Sequence, residues 1–330
     1  MSAAGVYFRE LSTEGGAAWN RFWFTPASPQ PLGVLRIAAG IITLGYFLSW
    51  MFHLPALFAA DGLLPPDMVS NLLEQQNRHL YRFSPLFQLA TPLTLHIFHA
   101  VAIATTCLLI AGVYSRVTAA ATLLMLLSYV HRAPLLTGPL ETVLTMLLLY
   151  LVVGPSGAFY SVDAWLAELR DKSLAAPSWL ANIGLRLMQV HLALFLFLVA
   201  NSTLASPAWW NGSAIWIIES QELSRPFDLS ALRNFPKIVN LWTHLFVFVN
   251  LLFPFLVWYR LLRPLVVTST AVMWLLMIPV SGQLLYVAAI LAAMYSFATP
   301  RAAEATVSSP EGSSDSSRKP LGRDAKLIRS

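Results

Sequence analysis

Long uninterrupted apolar stretches alternate with short polar ones along nearly the whole chain. Eight apolar runs can be cut from it, at 32–53, 93–114, 117–131, 138–154, 183–204, 238–259, 264–280 and 282–298. None shows the strict alternation of a half-buried strand, and most approach the ~20 apolar residues that cross ~30 Å of hydrocarbon. In lipid a segment must satisfy its own backbone hydrogen bonds, so the runs predict helices and the chain reads as an all-α polytopic transmembrane helical bundle. The run at 117–131 is short for a span, and the last two are parted only by Ser281-Gly282. Seven spans, or a re-entrant pair, therefore compete with about eight. An outer-membrane barrel is excluded, because its segments would alternate over only ~10 residues.

The polar segments divide the chain into 1–31, an N-terminal piece carrying the cluster WNRFWF; the bundle, 32–298; and 299–330, rich in Ser, Ala, Glu, Gly and Arg without periodicity. The last is read as a disordered cytoplasmic tail. Residues 54–92 mix Pro pairs with short amphipathic stretches and predict interfacial helices over the mouth of the bundle. Within 155–182, SVDAWLAELRD has helical spacing and is expected to lie along the opposite face. The first thirty residues lack a short apolar core with a small-residue cleavage site, so the first span is expected to serve as its own insertion signal.

Composition agrees with this picture: 57% of residues are hydrophobic and only 11% charged. Basic residues set the orientation. With the N-terminus inside, the cytoplasmic segments hold Arg9, Arg21, Arg116, Arg170, Lys172, Arg260, Arg263 and six basic residues of the tail, thirteen against six outside. The outside six are Arg78, Arg82, Arg132, Arg225, Arg233 and Lys237. N-in/C-in with eight spans follows, and the net charge of +5 reads as basic loops facing membrane lipid rather than a nucleic-acid surface. Arg36 and Arg186, near the cytoplasmic ends of their runs, are expected to snorkel to phosphate. The lone Cys107 cannot form an intramolecular disulfide and reads as a small packing residue.

Polar residues inside spans are costly, so candidate chemistry is sought there first. His96 and His99 lie one turn apart, but a zinc or iron site wants more ligands than these two, and no metal is expected. Gln189 shares a face with Arg186, while His191 points elsewhere. Asn240, Thr243 and Asn250 fall within about an 80° arc, with His244 a turn after Asn240; such a stripe faces protein or a cavity. In HRAPLLTGPLE, residues 131–141, Glu141 opens a helix where its charge suits the macrodipole. His131, Arg132 and Glu141 would form a proton-transfer set at the mouth if they met. The segment SPAWWNGSAIW, 206–216, places Trp209 and Trp210 before a sharp turn at Asn211-Gly212. Indoles suit the headgroup boundary, and the turn could roof a cavity. No phosphate loop, hydrolase triad order, zincin pattern or dinucleotide fingerprint is present.

The order of several motifs is informative. Arg36 early in the first run, GVYSR at 112–116, HRAP at 131–134, VGPSGAFYSVDAW at 153–165, and RLMQVHLALFLF followed by WWNGSAIW together resemble the HTTM domain family over roughly residues 20–298. That family is similar to the membrane domain of vitamin K-dependent gamma-carboxylase. The resemblance implies a multi-pass bundle whose extracytoplasmic loops cover a central cavity that accommodates a reduced quinone in the carboxylase. It also implies a catalytic lysine just before the tryptophan-glycine turn. Here that stretch reads VANSTLASPAWWNG, 199–212, with Ser202, Thr203 and Leu204 and no lysine. None of these is a base near neutral pH. The carboxylase histidine between the third and fourth spans is replaced near Pro139.

The expectation is thus a bacterial inner-membrane protein that binds a lipid-like or quinone-like ligand under the 205–237 loop, lined by spans two, five and six, without carboxylase activity. The alternative is a non-enzymatic membrane component: a carrier, a channel subunit, or a partner of an exported peptide or neighbouring membrane protein. Inverted repeats with broken helices and acidic rings, the marks of carriers and cation channels, are missing.

Overall fold

A computed structural model describes residues 3–75, 83–172, 176–221 and 227–298, with side chains from Thr13 onward. The 299–330 segment, and with it the expected tail, lies outside the described residues. Fourteen helices are described, and among the described residues there is no strand beyond one bridge between Ala27 and Ser178. In chain order they are α1 (Ala3–Phe24), α2 (Gln30–Trp50), α3 (Leu54–Phe58), α4 (Pro66–Gln75), α5 (Pro92–Ala111), α6 (Ser115–Arg132) and α7 (Pro139–Val153). There follow α8 (Val162–Glu168), α9 (Trp179–Leu204), α10 (Pro207–Trp210), α11 (Ala214–Glu219), α12 (Pro236–Leu256), α13 (Arg263–Ser281) and α14 (Leu284–Met294).

Each of the eight apolar runs has become a helix. Five of them, α2, α5, α9, α12 and α13, are long and apolar enough to cross a membrane. Their outward faces carry Ile41, Ile97, Leu108, Leu194, Leu198, Phe248, Phe255, Leu265 and Leu275, all exposed. A belt of this kind far exceeds the few hundred Å² that monomeric soluble proteins leave bare. The shorter α7 and α14 lie inside the bundle. α14 packs against α2, α7, α9 and α13, burying Ala289, Ile290 and Ala293 completely. Two hairpin-like groups result, α2 with α5, α6 and α7, and α9 with α12 and α13; α14 and the α7–α9 contact join them.

Capping residues set several helix starts. Thr91, Ser161 and Ser178 accept the N–H of Thr94, Ala164 and Ala181 at 3.3, 2.8 and 3.1 Å. α3, α4 and a 3-10 turn at Pro85–Phe87 occupy the first loop, as its amphipathic pattern suggests. The α1 helix is not legible in the sequence, because Gly15 and Gly16 sit mid-helix and disfavour it locally. Tertiary contacts hold its end: the Asn182 amide donates to the carbonyls of Phe22 and Trp23 at 2.8 and 2.9 Å, and α1 packs on α9.

Three readings from the sequence need correction. Arg36 does not snorkel; it is fully buried and donates to the carbonyls of Leu109 (3.2 Å) and Tyr160 (2.5 Å). Gly112, at φ 76°, makes this possible, since a Cβ there would collide with the Arg36 guanidinium. Arg36 thereby staples α2 to the end of α5 and to the 155–161 loop. The other half of that joint is Asp163, which accepts the N–H groups of Tyr114 and Ser115 at 2.8 and 2.9 Å and caps α6. Arg186 likewise turns inward, 4.5 Å from the Phe22 ring and 3.0 Å from Gln189 Oε1. Cys107 is exposed on α5 rather than packed in the core.

Candidate functional site

The 206–216 segment folds into α10, a turn and the start of α11, and that turn rests on the second and third turns of α12. Gly212 adopts φ 77°, a left-handed conformation, and a Cβ on it would overlap the Asn240 carboxamide. Close approach is therefore what the glycine provides. Asn240 Nδ2 donates to the Asn211 carbonyl at 3.0 Å, and Thr243 Oγ1 donates to the Gly212 carbonyl at 3.1 Å. The His244 ring lies 3.2 Å from the Trp210 carbonyl through Nε2 and 2.8 Å from the Asn240 carbonyl through Nδ1. Asn211 closes its own turn by accepting the Ser213 N–H at 3.0 Å. Trp209 packs against Phe246 at 5.5 Å between ring centroids, while Trp210 is exposed and donates to the Leu204 carbonyl. The polar stripe of α12 is thus read directly by the backbone of the WWNG turn.

A cleft of about 310 Å³ opens beside this joint. Its walls are Asn211, Gly212, Ser213 and Trp216 on one side, Leu232 and Arg233 on another, and Pro236, Val239 and Asn240 of α12. A second hollow of about 540 Å³ shares Pro236 and Asn240 and continues past Lys237, Leu241 and His244. Of the three spans expected to line a pocket under the turn, only α12 lines this cleft; no residue of α5 or α9 does. The reason is geometric. The turn sits on the N-terminal end of α12, and the segment around the 3-10 turn Ser230–Asn234 closes the other side.

A second group of candidates lies where α2, α5, α6 and α7 meet. His99 is buried, its Nδ1 2.8 Å from the Tyr129 hydroxyl, while His96 is exposed and bonds to the Pro92 carbonyl of its own helix at 2.6 Å. Arg132 is fully buried, donating to the carbonyls of Phe58 (3.4 Å) and Leu64 (2.5 Å), with its guanidinium 5.6 and 5.2 Å from the Phe58 and Phe87 rings. It pins the first loop onto the bundle. His131 turns instead to the Phe83 carbonyl at 2.8 Å. Glu141 accepts the Gly138 N–H at 2.9 Å, the capping role expected at the start of α7, and faces the Tyr46 hydroxyl. His131, Arg132 and Glu141 each bond to a different partner, so no proton relay links them.

The remaining candidates knit helices. Gln189 donates to the Ser296 carbonyl at 2.6 Å, and His191 Nδ1 lies 2.9 Å from the Tyr150 hydroxyl. Asn250 is buried and accepts the Trp274 indole N–H at 3.0 Å, joining α12 to α13. Among the described residues no group of three or more His, Cys, Asp or Glu side chains is placed to hold a metal. The sequence reading missed Trp216, Leu232, Arg233 and Val239 as cleft walls, and Lys237 as a wall of the adjoining hollow. The signal was present in the basic pair flanking Pro236, which entered only as loop charge.

No family model matches the chain, and neither a curated protein nor a solved structure resembles it. The class of protein is therefore defined by its own fold: a helical bundle with five helices of membrane-spanning length and a cleft at one end of α12.

Proposed function

We propose that the chain is a multi-pass protein of the bacterial inner membrane, related to the HTTM domain, that holds an amphipathic lipid-like or quinone-like ligand in the cleft beneath the 206–216 turn. The cleft is the observation that carries this reading. Its volume of about 310 Å³ falls at the lower end of ligand pockets, and it combines apolar walls from Trp216, Leu232 and Val239 with the polar Asn211 and Asn240. Eight spans with both termini cytoplasmic fit the bias of basic residues along the chain. The short α7 and α14 are compatible with this, because helices surrounded by protein need not match the hydrocarbon thickness. Vitamin K-dependent carboxylation is not part of the proposal, since 199–212 carries no lysine.

Mass spectrometry of the detergent-purified protein tests the reading. A retained lipid or quinone is expected, and Leu232→Trp, which fills the cleft, should reduce its stoichiometry severalfold. A preparation free of ligand, or one whose bound ligand ignores Leu232→Trp and Trp216→Ala, overturns it.

A further inference from the structure

The charge around the cleft narrows the kind of ligand. Arg233 lines the 310 Å³ cleft and Lys237 the adjoining 540 Å³ hollow, and both are exposed. No described carboxylate pairs with either. Of the described acids nearby in the chain, Glu219 accepts the Leu229 N–H at 3.2 Å and Asp228 accepts the Ser230 N–H at 3.0 Å. Among the described residues, two cations without a carboxylate partner thus line adjoining hollows that share Pro236 and Asn240, with the amides of Asn211 and Asn240 and the His244 ring beside them.

Polarity along the groove is ordered. Lys237 stands in the first turn of α12, Asn240 and Leu241 in the second, and His244 and Leu245 in the third. Beyond them the outward face is apolar, with Leu241, Leu245 and Phe248 all exposed. From Lys237 to Phe248 is about 16 Å along the axis. Cations at one end and a hydrocarbon-facing track at the other match a molecule with an anionic head and an acyl chain. A neutral quinone head would leave both cations unused.

The geometry points to an anionic phospholipid as the occupant, its phosphate between Arg233 and Lys237 and one chain laid along α12. This rests on the ligand-binding reading of the cleft and specifies its ligand. Each basic residue near a membrane surface raises anionic-lipid partition about fivefold, so the pair should give roughly twenty- to thirtyfold enrichment over a zwitterionic lipid.

The test uses the full chain reconstituted in nanodiscs of equal phosphatidylglycerol and phosphatidylcholine, followed by quantification of lipid that survives detergent extraction. Wild-type protein should retain phosphatidylglycerol in preference, and the preference should fall to the bulk ratio in Arg233→Gln/Lys237→Gln. Both residues are exposed and make no described side-chain bond, so the variant should keep its gel-filtration profile. Arg170→Gln/Lys172→Gln, in the α8–α9 segment at the other end of the bundle, should leave the preference intact. Retention of both lipids equally, sensitive to Leu232→Trp, would sink this inference while leaving the cleft reading standing. Loss of all Leu232→Trp-sensitive retention would remove both. Displacement of the retained lipid by millimolar inorganic phosphate would show a free-phosphate site and overturn the assignment to lipid.

Discussion

Replacing Gly212 by alanine should unfasten the turn from α12. The residue sits at φ 77°, where an L side chain costs about 1–2 kcal/mol. The added methyl would overlap Asn240 and come within 3.0 Å of His244 Cε1. Asn240 would have to release the Asn211 carbonyl, and His244 would be pushed from the Trp210 carbonyl, at about 0.5–1.5 kcal/mol for each bond. The total is a loss of about 2–5 kcal/mol, the range reflecting how far α12 can yield. Thermal unfolding at a fixed scan rate in one detergent measures it, as a fall of several degrees in the apparent midpoint. Gly16→Ala is the control. That glycine is helical with nothing near a built Cβ, so the same substitution should stabilise by about 0.5–1 kcal/mol. Opposite signs for one chemical change separate backbone strain from a general effect of the methyl group. The Gly212→Ala/Asn240→Ala double variant should cost less than the sum of the two singles, because the clash is removed with the carboxamide. An unchanged or raised midpoint for Gly212→Ala, with Gly16→Ala behaving as expected, would refute the close-approach argument.

Other perturbations probe the joints between helices. Arg36→Gln should destabilise by about 3–5 kcal/mol, because the carbonyls of Leu109 and Tyr160 lose a buried charged donor; an exposed, snorkelling arginine would show almost no change in the same unfolding assay. Asp163→Ala removes the acceptor for two backbone N–H groups at the start of α6 and should cost about 2–3 kcal/mol, with faster amide exchange at Tyr114 and Ser115. Asn250→Leu should cost no more than about 1.7 kcal/mol, the upper end for polar bonds between membrane helices, and should shift the emission of Trp274 as its indole loses its acceptor.

The apolar pattern alone determined that the chain is helical and roughly where each long helix lies. The physical reason is that hydrocarbon permits few backbone solutions, so run length and composition decide the element without reference to neighbours. Glu141 as a helix-opening acid and Asn211-Gly212 as a turn were legible for a related reason, since both are local backbone chemistry. What polar side chains do in the interior was not local. Arg36 and Arg132 each reach carbonyls more than sixty residues away, so only the packing of α2 against α5, and of the first loop against α6, showed them to be staples. The histidines separated for the same reason: helical spacing put His96 and His99 on neighbouring faces, but the position of Tyr129 decided which one was buried. The α1 helix depended on Asn182 and Phe22, far apart in sequence. The cleft, finally, exists because the WWNG turn, the 3-10 turn at Ser230–Asn234 and the first turns of α12 come together in space. Sequence could locate that turn, and the tertiary arrangement decided that it packs on α12 with a cleft beside it.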